Sequence, residues 1–134
     1  MSDDEFLAEL EACTLPQEKF HHVDHIHAAW LYLTRFPPAE AIARFSYALR
    51  CYAASLGKAS RYHETITWAY LLLVNERVGR SGPGTTWDQF AAAHSDLFDW
   101  KSSILLRYYR EETLHSEVAR RVLSCRIVSV RYEF

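Results

Sequence analysis

Apolar residues recur at three- and four-residue steps through most of this chain, the period of a helix that buries one face. The run Ile42, Phe45, Leu49, Tyr52 and Leu56 is the clearest, and it predicts a helix with Pro38 in its first turn and Gly57 at its end. Ahead of it, Ser2-Asp3-Asp4-Glu5 has the spacing of a capping box; Phe6, Leu7, Leu10 and Cys13 then mark a short first helix ending near Pro16. A second helix is expected from about Asp24, as its N-cap, to Thr34, stopped by Phe36-Pro37-Pro38.

Beyond Gly57, Ser60 is placed to cap a fourth helix, whose stripe of His63, Ile66, Tyr70, Leu73 and Arg77 ends around Gly79. Arg80-Ser81-Gly82-Pro83-Gly84 reads as a loop. Thr86-Trp87-Asp88-Gln89 is a second capping box, opening a short helix through Phe90 and Ala93. Asp96 to Trp100 reads as an aromatic-packed turn, followed by helical pieces around Ser103 to Tyr109 and Thr113 to Ser124. Ile127 to Phe134 alternates and is β-branched, the pattern of an edge strand or a docked tail. The predicted fold class is therefore all-α: a compact bundle of about five or six short helices in one domain, ending in a short strand or an extended tail.

Composition narrows the partners. With 134 residues, 49% apolar and 14% aromatic, the chain has material for one core rather than two domains. A net charge of −2 gives no reason to expect nucleic acid or an anionic membrane as a partner. Arg120, Arg121, Arg126 and Arg131 form a local basic cluster that reads as a solvated helix end. The start, Met1 to Glu5, is acidic where a secretory signal is basic, and the longest apolar run, Trp68 to Val74, is too short for a bilayer. A cytoplasmic protein, monomeric or homodimeric, is expected. Cys13, Cys51 and Cys125 are an odd number without a CxxC pair, so they are expected to be reduced and mostly buried rather than disulfide-bonded or zinc-bound.

Against that ordinary background one stretch stands out. Phe20-His21-His22-Val23-Asp24-His25-Ile26-His27 holds four of the seven histidines at the mouth of the second helix. Tyr62-His63-Glu64-Thr65-Ile66-Thr67-Trp68 repeats the design at the mouth of the fourth, with imidazole and carboxylate in front and apolar residues behind. Residues three and four apart share a helix face, so His22 or His21 pairs with His25, and His63 lies on an inward stripe. Two imidazoles from one helix and one from a neighbour are a common bundle site for a single divalent transition metal, Zn, Fe(II) or Mn(II), with His21, His22, His25 and His63 as ligands. No organic cofactor is indicated. The positive end of a helix favours neutral imidazole, the form that binds metal or accepts a proton.

Asp24 and Glu64 are expected to fix tautomers, ligate the metal or act as bases, each for a histidine of the other cluster because adjacent helical residues diverge. Tyr62 and Tyr70 are candidate hydrogen-bond donors to a substrate, whereas the Thr65 and Thr67 hydroxyls suit bonds to the preceding turn. His27, His94 and His115 read as surface residues, His94 being a fourth ligand only if the fold brings it in. Trp30, Trp68, Trp87 and Trp100 read as mostly core, and an apolar or aromatic small molecule is the natural guest if two of them line the pocket.

Three phrases carry a resemblance: Phe20 to His25, Tyr62 to Trp68, and Leu114-His115-Ser116-Glu117-Val118-Ala119-Arg120. Across Phe20 to about Val122 the chain resembles a group of short, uncharacterised bacterial helical proteins. The resemblance implies that the two histidine clusters belong to one compact domain and brings no activity with it. Such proteins finish with a Pro-Asp segment where this chain has Cys125-Arg126-Ile127-Val128, so the resemblance says nothing about the last ten residues.

Three functions follow from the residues. The first is a metal-dependent enzyme or metal-binding protein performing hydrolytic, hydration or oxidative chemistry on a small molecule. The second needs no metal and uses His25 or His63 as general base, oriented by Glu64 or Asp24, with Tyr62 or Tyr70 facing a developing oxyanion. The third is a non-catalytic interaction module in which the histidines are incidental.

Overall fold

The computed structural model of the protein describes residues 1–127. Seven α-helices follow one another among these residues: α1 (Asp3–Glu11), α2 (His22–Arg35), α3 (Pro38–Ser55), α4 (Glu64–Ser81), α5 (Trp87–Ala93), α6 (Glu111–Leu114) and α7 (Glu117–Arg121). Short 3-10 turns at Gln17–Lys19, Ala59–Arg61, Ser95–Phe98 and Ile104–Arg107 join them. The class is all-α, with more and shorter pieces towards the C-terminus than the sequence predicts.

Local chemistry sets these boundaries. The Ser2 hydroxyl accepts from Glu5 N at 3.1 Å, and Thr86 and Gln89 complete a reciprocal box at 3.2 and 3.0 Å. Pro37 and Pro38 stop α2 and open α3, and Gly57, with φ of 71°, takes the left-handed conformation just past the end of α3. The expected helix from Thr113 to Ser124 is two. Ser116 interrupts it with an extended backbone and caps α7 by accepting from Ala119 N at 3.2 Å. The piece expected over Ser103 to Tyr109 tightens into the 3-10 turn Ile104–Arg107. Within the expected terminal strand, Ile127 forms one isolated antiparallel bridge with Tyr109, and residues 128–134, Arg131 included, lie outside the described residues.

Helices α2 and α4 pack against each other, and α3 lies against both. α1 closes one side of α3, and α7 closes one side of α4. The inward faces form one core, in which Leu10, Ile26, Tyr32, Leu71, Val74, Phe90 and Leu97 are shielded from solvent. Each such side chain contributes about 1.5–3 kcal/mol through removal from water. Among the described residues no helix is long and apolar enough to cross a membrane. Cys13 and Cys51 are half-buried, whereas Cys125 is exposed, contrary to the expectation of mostly buried thiols.

Candidate functional site

Where α2, α3 and α4 splay at one end they leave a cavity of about 560 Å³. Its walls are largely apolar, from Phe20, Ile26, Phe45, Leu49, Ile66 and Leu71 among others. His21, His22, His25, His63, Tyr62 and Tyr70 all line it, so the two histidine mouths, some forty positions apart in sequence, share one hollow. Asp24 and Glu64 are absent from its lining.

The two carboxylates serve their own helices. Asp24 is the third residue of α2 rather than its cap, and Oδ2 accepts from His21 N at 2.8 Å, closing the first turn. Glu64 Oε1 accepts from Trp68 Nε1 at 2.6 Å and from the Tyr62 hydroxyl at 3.3 Å, and Oε2 lies 3.6 Å from Arg50. Neither carboxylate reaches across to orient a histidine of the other cluster. The Tyr62 hydroxyl therefore spends its hydrogen bond on Glu64 while keeping its proton, and burial pushes its pKa up to about 12. The Tyr70 hydroxyl sits 2.9 Å from Ser103 Oγ, and burial raises its pKa as well.

His63, not Ser60, caps α4. Its Nδ1 accepts from Ile66 N at 3.1 Å, which leaves the proton on Nε2, and Nε2–H donates to Leu114 O at 2.6 Å. Both ring nitrogens are engaged, so no lone pair is left for a metal or a proton. Burial holds the His63 pKa below the ordinary histidine value despite the Leu114 carbonyl, in keeping with a neutral ring.

His22 and His25 differ from it and from each other. His22 Nε2 is 2.9 Å from Leu97 O, so the proton is on Nε2 and, in the neutral ring, Nδ1 keeps its lone pair. The ring lies 5.2 Å from Tyr70 and 5.0 Å from Trp100, centroid to centroid. His25 stacks on Phe20 at 4.0 Å with the planes 20° apart. Burial, helped by His22 and opposed by Asp24, lowers its pKa to about 4. No described residue hydrogen-bonds to its ring, and the residue is part of the cavity lining. His21 is exposed at the rim, with Nδ1 3.6 Å from Asp24.

No family model, curated protein or solved structure matches the chain.

Among the described residues no three His, Cys, Asp or Glu side chains gather around a point where one ion would sit. With His63 fully hydrogen-bonded, the four histidines expected as ligands offer lone pairs at His21, His22 and His25 only. Two of the histidines read as surface residues are instead half-buried against neighbouring side chains. His27 stacks on Trp87 at 4.4 Å with Nε2 3.4 Å from Asp3, and His94 sits between Arg77 at 3.1 Å and Ser81 at 3.1 Å. His115 is exposed as expected, and His94 is absent from the cavity lining.

Thr67 bonds the preceding turn, donating to His63 O at 2.8 Å, but Thr65 does not. Its hydroxyl donates to Val122 O and accepts from Ser124 N, both at 2.9 Å. Sequence reasoning also missed Gln17, Lys58, Arg61 and Trp100 in the cavity lining. Lys58 and Arg61 belong to a turn without periodicity, and Trp100, expected as core, is 61% exposed at the rim. Only the positive charge of the two turn residues could have singled them out.

Proposed function

We propose that the protein binds a small, largely apolar molecule in the cavity between α2, α3 and α4, holding it without a metal ion through a hydrogen bond to His25. The observation that carries this is the His25 ring, neutral near pH 7, stacked on Phe20 in the cavity lining, with neither nitrogen hydrogen-bonded among the described residues. A bound hydroxyl or carbonyl takes the place of water at that ring, and the surrounding apolar walls supply most of the affinity. A pKa near 4 also makes His25 a weak base at neutral pH, which favours a binding role over proton abstraction.

Histidine ring resonances followed by NMR during titration with octanol, an apolar chain bearing one hydroxyl, test this. The His25 ring signals are expected to shift at saturation while those of His94, away from the cavity, stay in place. Binding that leaves His25 unmoved, or no saturable binding, overturns the reading.

A second reading is metal-free acid–base chemistry, favoured by His22. Its Nε2–H is fixed by the Leu97 carbonyl, the arrangement that leaves Nδ1 of a neutral imidazole ready to take a proton. Tyr70, whose ring lies beside His22, is then the donor to a developing negative charge in place of Tyr62. Turnover of a bound compound, lost in His22→Gln and retained in the presence of chelator, distinguishes this from binding alone. The metal-dependent reading has less support, because no three His, Cys, Asp or Glu side chains converge on one point among the described residues and His63 could join His21, His22 and His25 only by giving up its cap and its bond to Leu114.

A further inference from the structure

Charge is distributed unevenly around the cavity. Among the described residues, Lys58 and Arg61 are the only Lys, Arg, Asp or Glu in its lining, and both carry positive charge. They flank and end the 3-10 turn Ala59–Arg61 between α3 and α4, on one side of the hollow. Lys58 Nζ donates to Gln17 Oε1 at 2.6 Å, a neutral partner that leaves its charge uncompensated. The Arg61 guanidinium makes neither an ion pair nor a hydrogen bond among the described residues.

The neighbouring surface makes a useful contrast. Arg61 also borders a depression with Arg50, Arg120 and Arg121, which at first sight suits a phosphate. There, however, Arg50 lies 3.6 Å from Glu64, Arg121 lies 3.6 Å from Glu117, and Arg120 donates to Ser60 O at 2.6 Å. Those three guanidiniums already have partners, and two carboxylates line the same depression. An added anion there meets repulsion as well as attraction. Among the described residues the cavity that the two cations border has largely apolar walls and no carboxylate in its lining.

From this asymmetry we infer that the molecule held in the cavity is an amphipathic monocarboxylate, its apolar chain between α2, α3 and α4, a hydroxyl or carbonyl of that chain at His25 and its carboxylate at Lys58 and Arg61. The inference rests on the binding reading above and adds the chemical class of the ligand. Arg61 offers a planar fork that matches a carboxylate, and Lys58 offers a point charge beside it. The apolar walls reject a strongly hydrated anion such as inorganic phosphate, which has no chain to bury.

Calorimetric titration with octanoate, octanol and octylamine separates the two layers of the argument. Octanoate is expected to bind about tenfold more tightly than octanol, and octylamine more weakly than either. In the double variant Lys58→Gln/Arg61→Gln, octanoate is expected to lose about tenfold while octanol affinity stays within about twofold, which also reports that the variant is folded. Lys58→Arg/Arg61→Lys, which keeps both charges, is expected to retain the preference for the anion. Equal affinities for octanoate and octanol, or a preference unmoved by the double Gln variant, overturn the carboxylate assignment and leave the pocket standing. Absence of saturable binding by all three overturns the pocket and the assignment together.

Discussion

The mouths of α2 and α4 are built from nearly the same residue types and do different work. At α4 the imidazole is part of the scaffold. His63 caps the helix with one nitrogen and holds the Leu114 carbonyl with the other, Thr65 ties in Val122 and Ser124, and Arg120 reaches back to Ser60 O. The motif there is a clasp for the C-terminal segment. At α2 the first turn is closed by Asp24, so the histidines that follow are released from that task, and His25 lines the cavity with no hydrogen bond to its ring among the described residues. The difference lies in what packs over each mouth: α4 meets α7 and the Leu114 carbonyl, whereas at α2 the turn Ser95–Phe98 engages His22 and leaves His25 to the hollow. Similar motifs thus give no guarantee of a shared role, because an imidazole is functional only with a nitrogen left over.

The comparison breaks most severely if His63 can be removed at little cost. His63→Ala takes away a helix cap, worth about 1 kcal/mol, and leaves the Leu114 carbonyl without its donor, worth about 1–3 kcal/mol more. Loss of ring packing brings the expected destabilisation to about 3–4 kcal/mol, or roughly 10 °C in thermal unfolding of a chain this size. His63→Asn, which keeps a capping oxygen but does not reproduce the longer reach to Leu114, is expected to fall about midway. His25→Phe, by contrast, replaces an unpartnered ring in an apolar setting and is expected to stay within about 1 kcal/mol of the parent. Equal losses for His63→Ala and His25→Phe would erase the distinction between clasp and site.

Much of the frame was legible in the chain. The Ser2 cap, which lacks the return bond from the Glu5 side chain, the reciprocal box at Thr86, the period of α3 and the prolines at 37 and 38 are local signals, executed close to where they stand in the chain. The meeting of the two histidine mouths was also expected, because His63, Ile66 and Tyr70 share a stripe. The fate of His63 was not legible. Its second nitrogen is engaged by a carbonyl 51 residues away, at the end of the four-residue helix α6, whose packing no periodicity announces. The start of α4 shifted for a related reason: the Ala59–Arg61 turn leaves Ser60 outside the helix, and an imidazole acceptor takes the capping role. Lys58 and Arg61 escaped notice because a turn residue's facing depends on how its flanking helices diverge.

The pH response sharpens the same contrast at somewhat smaller size. An unfolded histidine takes up its proton near pH 6.5, whereas folded His25 waits until about pH 4, so between these values the unfolded state binds more protons and stability falls as acid is added. Above pH 6.5 both states hold the ring neutral and the contribution is flat. The gap corresponds to at most about 3 kcal/mol, and the lowered values of His27 and His63 act in the same direction. Denaturant unfolding from pH 7.5 down to pH 4 is expected to show this decline, with a visibly shallower slope in His25→Phe. A slope unchanged by that substitution would mean that the ring is already hydrated or paired in the folded state.

The smallest expected effect tests the carboxylates. If Glu64 were an acid, a base or a ligand for the cavity, Glu64→Gln would abolish whatever the cavity does. Its contacts run instead to Trp68 Nε1, the Tyr62 hydroxyl and Arg50, and the amide oxygen of glutamine can still accept from the first two. What is lost is the attraction to an Arg50 side chain that is half exposed, at a separation of 3.6 Å, which water screens to under about 1 kcal/mol. Octanoate affinity in Glu64→Gln is therefore expected to stay within about twofold of the parent, with a melting temperature lowered by no more than about 3 °C. Loss of ligand binding with the fold intact would return Glu64 to the site and make the α4 mouth, like that of α2, a participant rather than a clasp.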